Sequence, residues 1–317
     1  MKKHVLRPLM TVLAAAALTI NVWALPKTLI PGGCTVGVKL YSQGLVVTGF
    51  ETKSAAKEAG LKKGDVIIQV DGETVHTADA LRQCLGEDQV VLTVLRNGKE
   101  AEFCVQPKEK QLGAYVQDSI AGIGTVTYYD PDTGAFGALG HGVSNAETET
   151  LMPLEAGVVV RSAVAEVKKG ASGAPGELRG QFDVASILGE VTVNDACGIF
   201  GTLSMPIAGT PIPVAEAGEI EPGPAEIYAN VSGEDVRSYS VEIEKIYPHA
   251  AQTGRNLLLR ITDPELLQTT GGIVQGMSGS PVIQNGRIVG AVTHVLINDP
   301  TRGYGIFIEN MLEAAEQ

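Results

Sequence analysis

The chain has 317 residues, 44% of them hydrophobic and 5% aromatic, with a formal net charge of −12. That length accommodates two globular domains with separate cores, and the acidic balance excludes a duplex nucleic-acid binder, which needs a basic face. With 38 glycines and 16 prolines the chain is rich in tight turns, and strand-like runs such as "VVLTVL", "NLLLRIT" and "RIVGAVTHVLI" outnumber helical ones, so the chain reads as mainly β.

At the N-terminus, Lys2, Lys3 and Arg7 precede an apolar run over residues 9–20, and Val22-Trp23-Ala24 then offers small residues to a signal peptidase. The run falls short of the about 20 residues that a bilayer requires. Residues 1–25 therefore read as a signal peptide or, uncleaved, as a membrane anchor, with the bulk of the chain exported. Cys34, Cys84 and Cys104 fall in the first half and Cys197 alone in the second. A bridge from Cys104 to Cys34 or to Cys84 is compatible with the spacing, but buried free thiols are the expectation. No Cys-x-x-Cys pair and no His/Asp/Glu cluster has metal-ligand spacing, so neither a metal nor another cofactor is expected.

Residues 31–108 carry the strand-like "TVGVKL" and "GLVVTGF", a helix "TADALRQCL" with Thr77 as N-cap, and a hairpin turning at Asn97–Gly98. The stretch "AGLKKGDVIIQVDG" resembles a PDZ domain, a module that adds an extended peptide to a sheet edge. By that resemblance the groove lies between residues 36–40 and the helix over 78–85. The N–H groups of Val36, Gly37 and Val38 would receive a terminal carboxylate, the peptide coming from this chain or from another.

Residues 112–317 carry "QGMSGSPVIQNGRIVGAVTH" at 275–294. A serine hydroxyl is a poor nucleophile until a base takes its proton and an oxyanion hole receives the charge that develops. Glycines around Ser278 permit backbone angles other residues resist, and the N–H groups of Gly276 and Ser278 can point at one spot. The hairpin turning at Asn285–Gly286 resembles the serine–hairpin–substrate strand of chymotrypsin-like proteases, with Thr293 and His294 on the strand that pairs with substrate. His141, in "GAFGALGHGVSN", sits where that family places its base, and His294 is the rival. His4 belongs to the targeting segment, His76 to the PDZ module, and His249 reads as a loop residue.

Taken together, "IPGG", "LGAYVQDSIAGIGTVTYYDPDTGAFGALGHGVSN", "GIFGTL" and "ITDPELLQTTGGIVQGMSGSPVIQNGRIVGAVTHVLINDPTRGYGIFIENML" resemble the stage IV sporulation protein B peptidases. The resemblance implies an N-terminal PDZ domain followed by a chymotrypsin-like double β-barrel. It also implies a serine endopeptidase that cleaves a membrane-tethered regulator between the forespore and mother-cell membranes, so that a late sigma factor is activated. The family's catalytic residues fall on His141, Asp263 and Ser278. Asp263 lies a short way before the serine rather than midway between histidine and serine, where Asp183 and Asp195 compete, and Asp-Pro-Glu also reads as a helix start. Met277 replaces the aspartate that in chymotrypsin receives a newly cut N-terminus. The contrasting expectation is a PDZ scaffold on a catalytically silent protease-like domain.

Overall fold

Short Val-, Ile- and Leu-rich runs bounded by glycine turns fold as strands. The computed structural model describes residues 28–250 and 253–316, so the expected targeting segment, residues 1–25, lies outside the described residues. Among the described residues no helix is long and apolar enough to cross a membrane.

After β1 (Thr28–Pro31) comes β2 (Thr35–Phe50), a 16-residue strand. The PDZ module follows as α1 (Ala55–Glu58), β3 (Val66–Val70), β4 (Glu73–Thr74), α2 (Ala78–Cys84), β5 (Val90–Arg96) and β6 (Lys99–Val105). Thr77 caps α2 by accepting the Ala80 N–H at 3.1 Å, and Asn97 and Gly98 both take positive φ, 52° and 71°, as a tight hairpin turn requires. The module's own core gathers Leu45, Val47, Ile67, Leu81, Leu92 and Val94. Asp65 of the "KKGD" turn is buried and receives Arg96 through two bonds, Nε at 2.7 Å and Nη2 at 2.6 Å, so the charge is paired rather than stranded.

Next come β7 (Ala114–Tyr129), β8 (Ala135–Ala138), β9 (Leu154–Lys168), β10 (Glu177–Asp195), β11 (Gly198–Leu203) and β12 (Ile212–Pro213). The pairings β2–β7–β8–β11–β10–β9–β2 close a six-stranded ring. The remaining strands are β13 (Gly223–Asn230), β14 (Val236–Ile246), β15 (Leu257–Ile261), β16 (Pro281–Gln284), β17 (Arg287–Leu296) and β18 (Asp299–Phe307), with α3 (Pro264–Thr270) and α4 (Ile308–Ala315). They close a second barrel in the order β13–β14–β15–β18–β17–β16. The fold is thus mainly β, with a PDZ module and a double barrel.

The chain order within it differs from the sequence-based expectation. The first half of β2 is a stave of the first barrel, not part of the PDZ module. Val36, Gly37 and Val38 pair with β7 on one side and β9 on the other, and Val36, Val38 and Leu40 belong to the barrel core with Phe136, Leu139 and Ile199. The PDZ module is inserted into the first barrel, between its first two strands. Both connecting strands, β2 and β7, run on without a break from barrel to module.

Candidate active site

The loop that carries Ser278 is held by bonds from the first barrel. The Thr125 hydroxyl on β7 donates to the Gly276 carbonyl at 2.7 Å, and the Thr125 N–H donates to the Ser278 carbonyl at 3.0 Å. Gly279, at φ 97°, lies so close that a Cβ there would stand 2.0 Å from the Thr125 carbonyl oxygen. Only glycine permits this approach. The loop then enters the hairpin β16–β17, which turns at Asn285 and Gly286 with φ 52° and 71°.

Around Ser278 the N–H groups alternate between use and vacancy. Those of Gln275, Met277, Gly279 and Ser280 are bonded to carbonyls of Gly176, Val274, Val292 and Met277, whereas those of Gly276 and Ser278 meet no acceptor among the described residues. The peptides bearing these two free donors are fixed from behind. Leu178 N–H bonds the Gln275 carbonyl at 2.8 Å, and Ser280 N–H bonds the Met277 carbonyl at 3.0 Å. Pre-aligned, unspent donors of this kind are what a developing oxyanion needs.

His141, Ser278, Gly276 and His294 line one cavity of about 580 Å³. The His141 and His294 rings stand 5.2 Å apart, tilted by 38°. His141 Nδ1 lies 2.9 Å from the Gly142 carbonyl. An N–H there donates to that oxygen and leaves the Nε2 lone pair free to act as a base. Burial pushes the His141 pKa below its ordinary 6.5, opposed in part by the Gly142 bond. The pKa of His294 is pushed down to about 4, by burial first and then by His141 and Arg255. Ser278 Oγ donates to the Thr293 carbonyl at 2.8 Å, so its proton faces β17 rather than the histidine.

The acid is where residue reading and geometry part. Asp263 caps α3, accepting Leu266 N–H at 2.9 Å and Ser240 N–H at 3.4 Å; it makes no bond to His141. Asp183 engages Ser186 and Ala185, and Asp195 accepts Cys197 N–H. The carbonyl of Gly142 occupies the orienting position that a carboxylate was expected to fill. Val36, Gly37 and Val38 also need correction. With both strand edges already bonded inside the first barrel, they offer no loop to a carboxylate. Nothing local in the sequence sets Thr125, Asn194 or the free edge of β7 apart. Among the described residues no group of His, Cys, Asp and Glu could hold a metal.

Residues 108–312 match the SpoIVB peptidase S55 family. The chain belongs to that family. Residues 46–96 of this S55 peptidase match the PDZ domain family. Over 67 residues it is 37% identical to a probable periplasmic serine endoprotease, DegP-like, of Halomonas elongata, covering 20% of this chain and 14% of that protein. It is 38% identical over 55 residues to a putative zinc metalloprotease of Campylobacter jejuni, covering 17% of this chain and 15% of that protein. The matches therefore span only about a seventh of those relatives' lengths. Among solved structures it is similar to the Rv3671c protease of M. tuberculosis in its inactive form, at 16% identity and a TM-score of 0.35, covering 61% of this chain and 83% of that one. The chain thus combines the S55 peptidase family's sequence with that of a PDZ domain.

Proposed function

We propose that the protein is an exported serine endopeptidase of sporulation signalling. Ser278 is the nucleophile, His141 the general base, and the N–H groups of Gly276 and Ser278 the oxyanion hole. The observation that carries this reading is the pair of unspent, back-braced N–H groups beside a serine that shares its cavity with a histidine. In the reaction the Ser278 hydroxyl leaves the Thr293 carbonyl and turns to His141. His141 takes the proton as Oγ attacks the scissile carbonyl, and the oxyanion settles on the two N–H groups. His141 then returns the proton to the departing amine. The substrate is a membrane-tethered regulatory protein in the space between forespore and mother-cell membranes, a reading that follows the family, with the PDZ module governing its access.

The resting Ser278–Thr293 bond and the absence of Asp263 from His141 favour a second reading, a catalytically silent peptide-binding scaffold. A fluorophosphonate probe separates the two. Labelling of the intact protein that disappears in Ser278→Ala supports the peptidase; no labelling of either, with both folded, supports the scaffold.

A further inference from the structure

β7 is bonded along one edge only for most of its length. From Ala114 to Thr125 its partner is β2; from Val126 onward β8 joins the other edge while β1 takes over on the β2 side. Successive residues of a strand turn their N–H and C=O groups to opposite sides. Val126 N–H bonds the Cys34 carbonyl on the β2 side, and Thr125 N–H bonds the Ser278 carbonyl on the other. Between 119–125 and 35–41 the register has no bulge, so Ile123, Ala121 and Ser119 face the same way as Thr125, with no strand opposite them. Ala121 and Gly122 are exposed, and Ile120, Gly122 and Ile123 line the active-site cavity. Between Ser119 and Ile123 one internal bond among the described residues touches this edge, from Gln117 Nε2 to the Ser119 carbonyl at 2.9 Å. An unpaired edge of this kind is a template for an added strand.

The far end of the same edge lies in the PDZ module. Ala114 and Val116 pack on the core that holds Leu81, Ala78 and Ala80 of α2, so β7 is the strand beside that helix. Just before it, Leu112 and Gly113 are buried. Their carbonyls are bonded, to Ala56 and Glu51 N–H, but their own N–H groups meet no acceptor among the described residues. Two successive N–H groups without a protein acceptor at the start of an open strand suit a terminal carboxylate.

We infer that a single extended polypeptide lies antiparallel along β7, from the scissile bond at Ser278 to its own C-terminal carboxylate at Leu112 and Gly113, so that the enzyme cuts at a fixed distance from a free C-terminus. The inference rests on the peptidase reading above. Antiparallel pairing gives the polarity, since the substrate's C-terminal end then meets the N-terminal end of β7. From Ile123 to Ala114 the strand spans roughly 30 Å, so the cut falls about ten residues before the substrate's end.

The test uses a randomised peptide library of about sixteen residues, made as free acids and as amides, with cut positions read by mass spectrometry. Cuts clustered about ten residues from the C-terminus are expected, keeping that distance when the library is lengthened at its N-terminal side, and about tenfold fewer in the amides. Cuts that ignore the distance to the C-terminus, or equal cutting of acids and amides, overturn the inference. A second measurement needs no catalysis. In Ser278→Ala, hydrogen exchange at residues 112–113 and 119–123 is expected to slow with the free-acid library and not with the amides. No slowing overturns the inference, whereas slowing in a protein whose wild type cuts nothing sinks the peptidase reading and leaves the peptide edge standing.

Discussion

Thr125 is where the first barrel touches the chemistry. Its hydroxyl and N–H are both spent on the loop that carries Ser278, and valine would keep the shape while removing one of them. Thr125→Val should lower kcat about 10- to 100-fold with KM little changed, because a loop misplaced by a fraction of an ångström misaims both oxyanion donors. Ser278→Ala should lose nearly all turnover yet fold normally, whereas Ser280→Ala should stay active, because the buried Ser280 hydroxyl has no partner among the described residues; peptide hydrolysis by both variants checks this. On the proposed mechanism His141 must be neutral to accept the serine proton. Burial holds its pKa below 6.5, so the acid limb of the kcat/KM profile should lie below pH 6.5 and activity should be level at neutral pH. A limb centred above 6.5 would mean that another group, or a carboxylate partner, controls the base.

Two elements carry roles that single residues do not reveal. Helix α3 begins at Asp263, whose carboxylate holds the N–H groups of Leu266 and Ser240. Asp263→Ala should cost about 1 kcal/mol of stability and leave most turnover; a loss of about 10⁴ in turnover would instead make it the orienting acid of a triad. The segment from His141 to β9 is pinned by Asn194, which accepts Val143 N–H at 2.8 Å and donates to the carbonyls of Val143 and Met152, both at 2.9 Å. The same segment plants Met152, 1% exposed, among Val46, Val66 and Ile120, joining the His141 loop to the face of the PDZ module. Met152→Ala removes a buried side chain whose loss costs about 2–5 kcal/mol, and unfolding should then separate into two transitions by calorimetry as module and barrel lose their shared contact.

At the scale of the molecule, the insertion of the PDZ module into the first barrel sets what can fold alone. A chain of residues 112–317 lacks the stave Thr35–Ser42 and so leaves β7 and β9 without their common neighbour. It should show no cooperative melting, although the sequence marks it as a domain. Charge acts at this scale as well. His294 takes a proton near pH 6.5 when unfolded but only at about 4 when folded. Between those values the unfolded chain binds more protons, so stability is complete above pH 6.5 and declines as pH falls toward 4. His294→Gln should flatten the fall of Tm across that window, and an unchanged slope would assign it to other groups.

Much of this could be read from residue order. Thr77 as a cap, Asn97–Gly98 and Asn285–Gly286 as hairpin turns, Asp263-Pro264 as a helix start, and a serine framed by glycines are all settled within a few residues of chain, where local sterics and hydrogen bonding act. The family resemblance rests on such stretches too, and it carried the fold class. Strand partners are another matter. An apolar run such as "TVGVKL" declares itself buried on a sheet but does not say in which sheet, because side-chain alternation is the same whichever neighbour it meets. Val36, Gly37 and Val38 therefore read as a peptide-binding edge and became a barrel wall once β7 and β9 closed on them. The orienting group of His141 escaped for the same reason. A backbone carbonyl has no letter in the sequence, and its aim at Nδ1 depends on a loop pinned by Asn194 from a strand some fifty residues away.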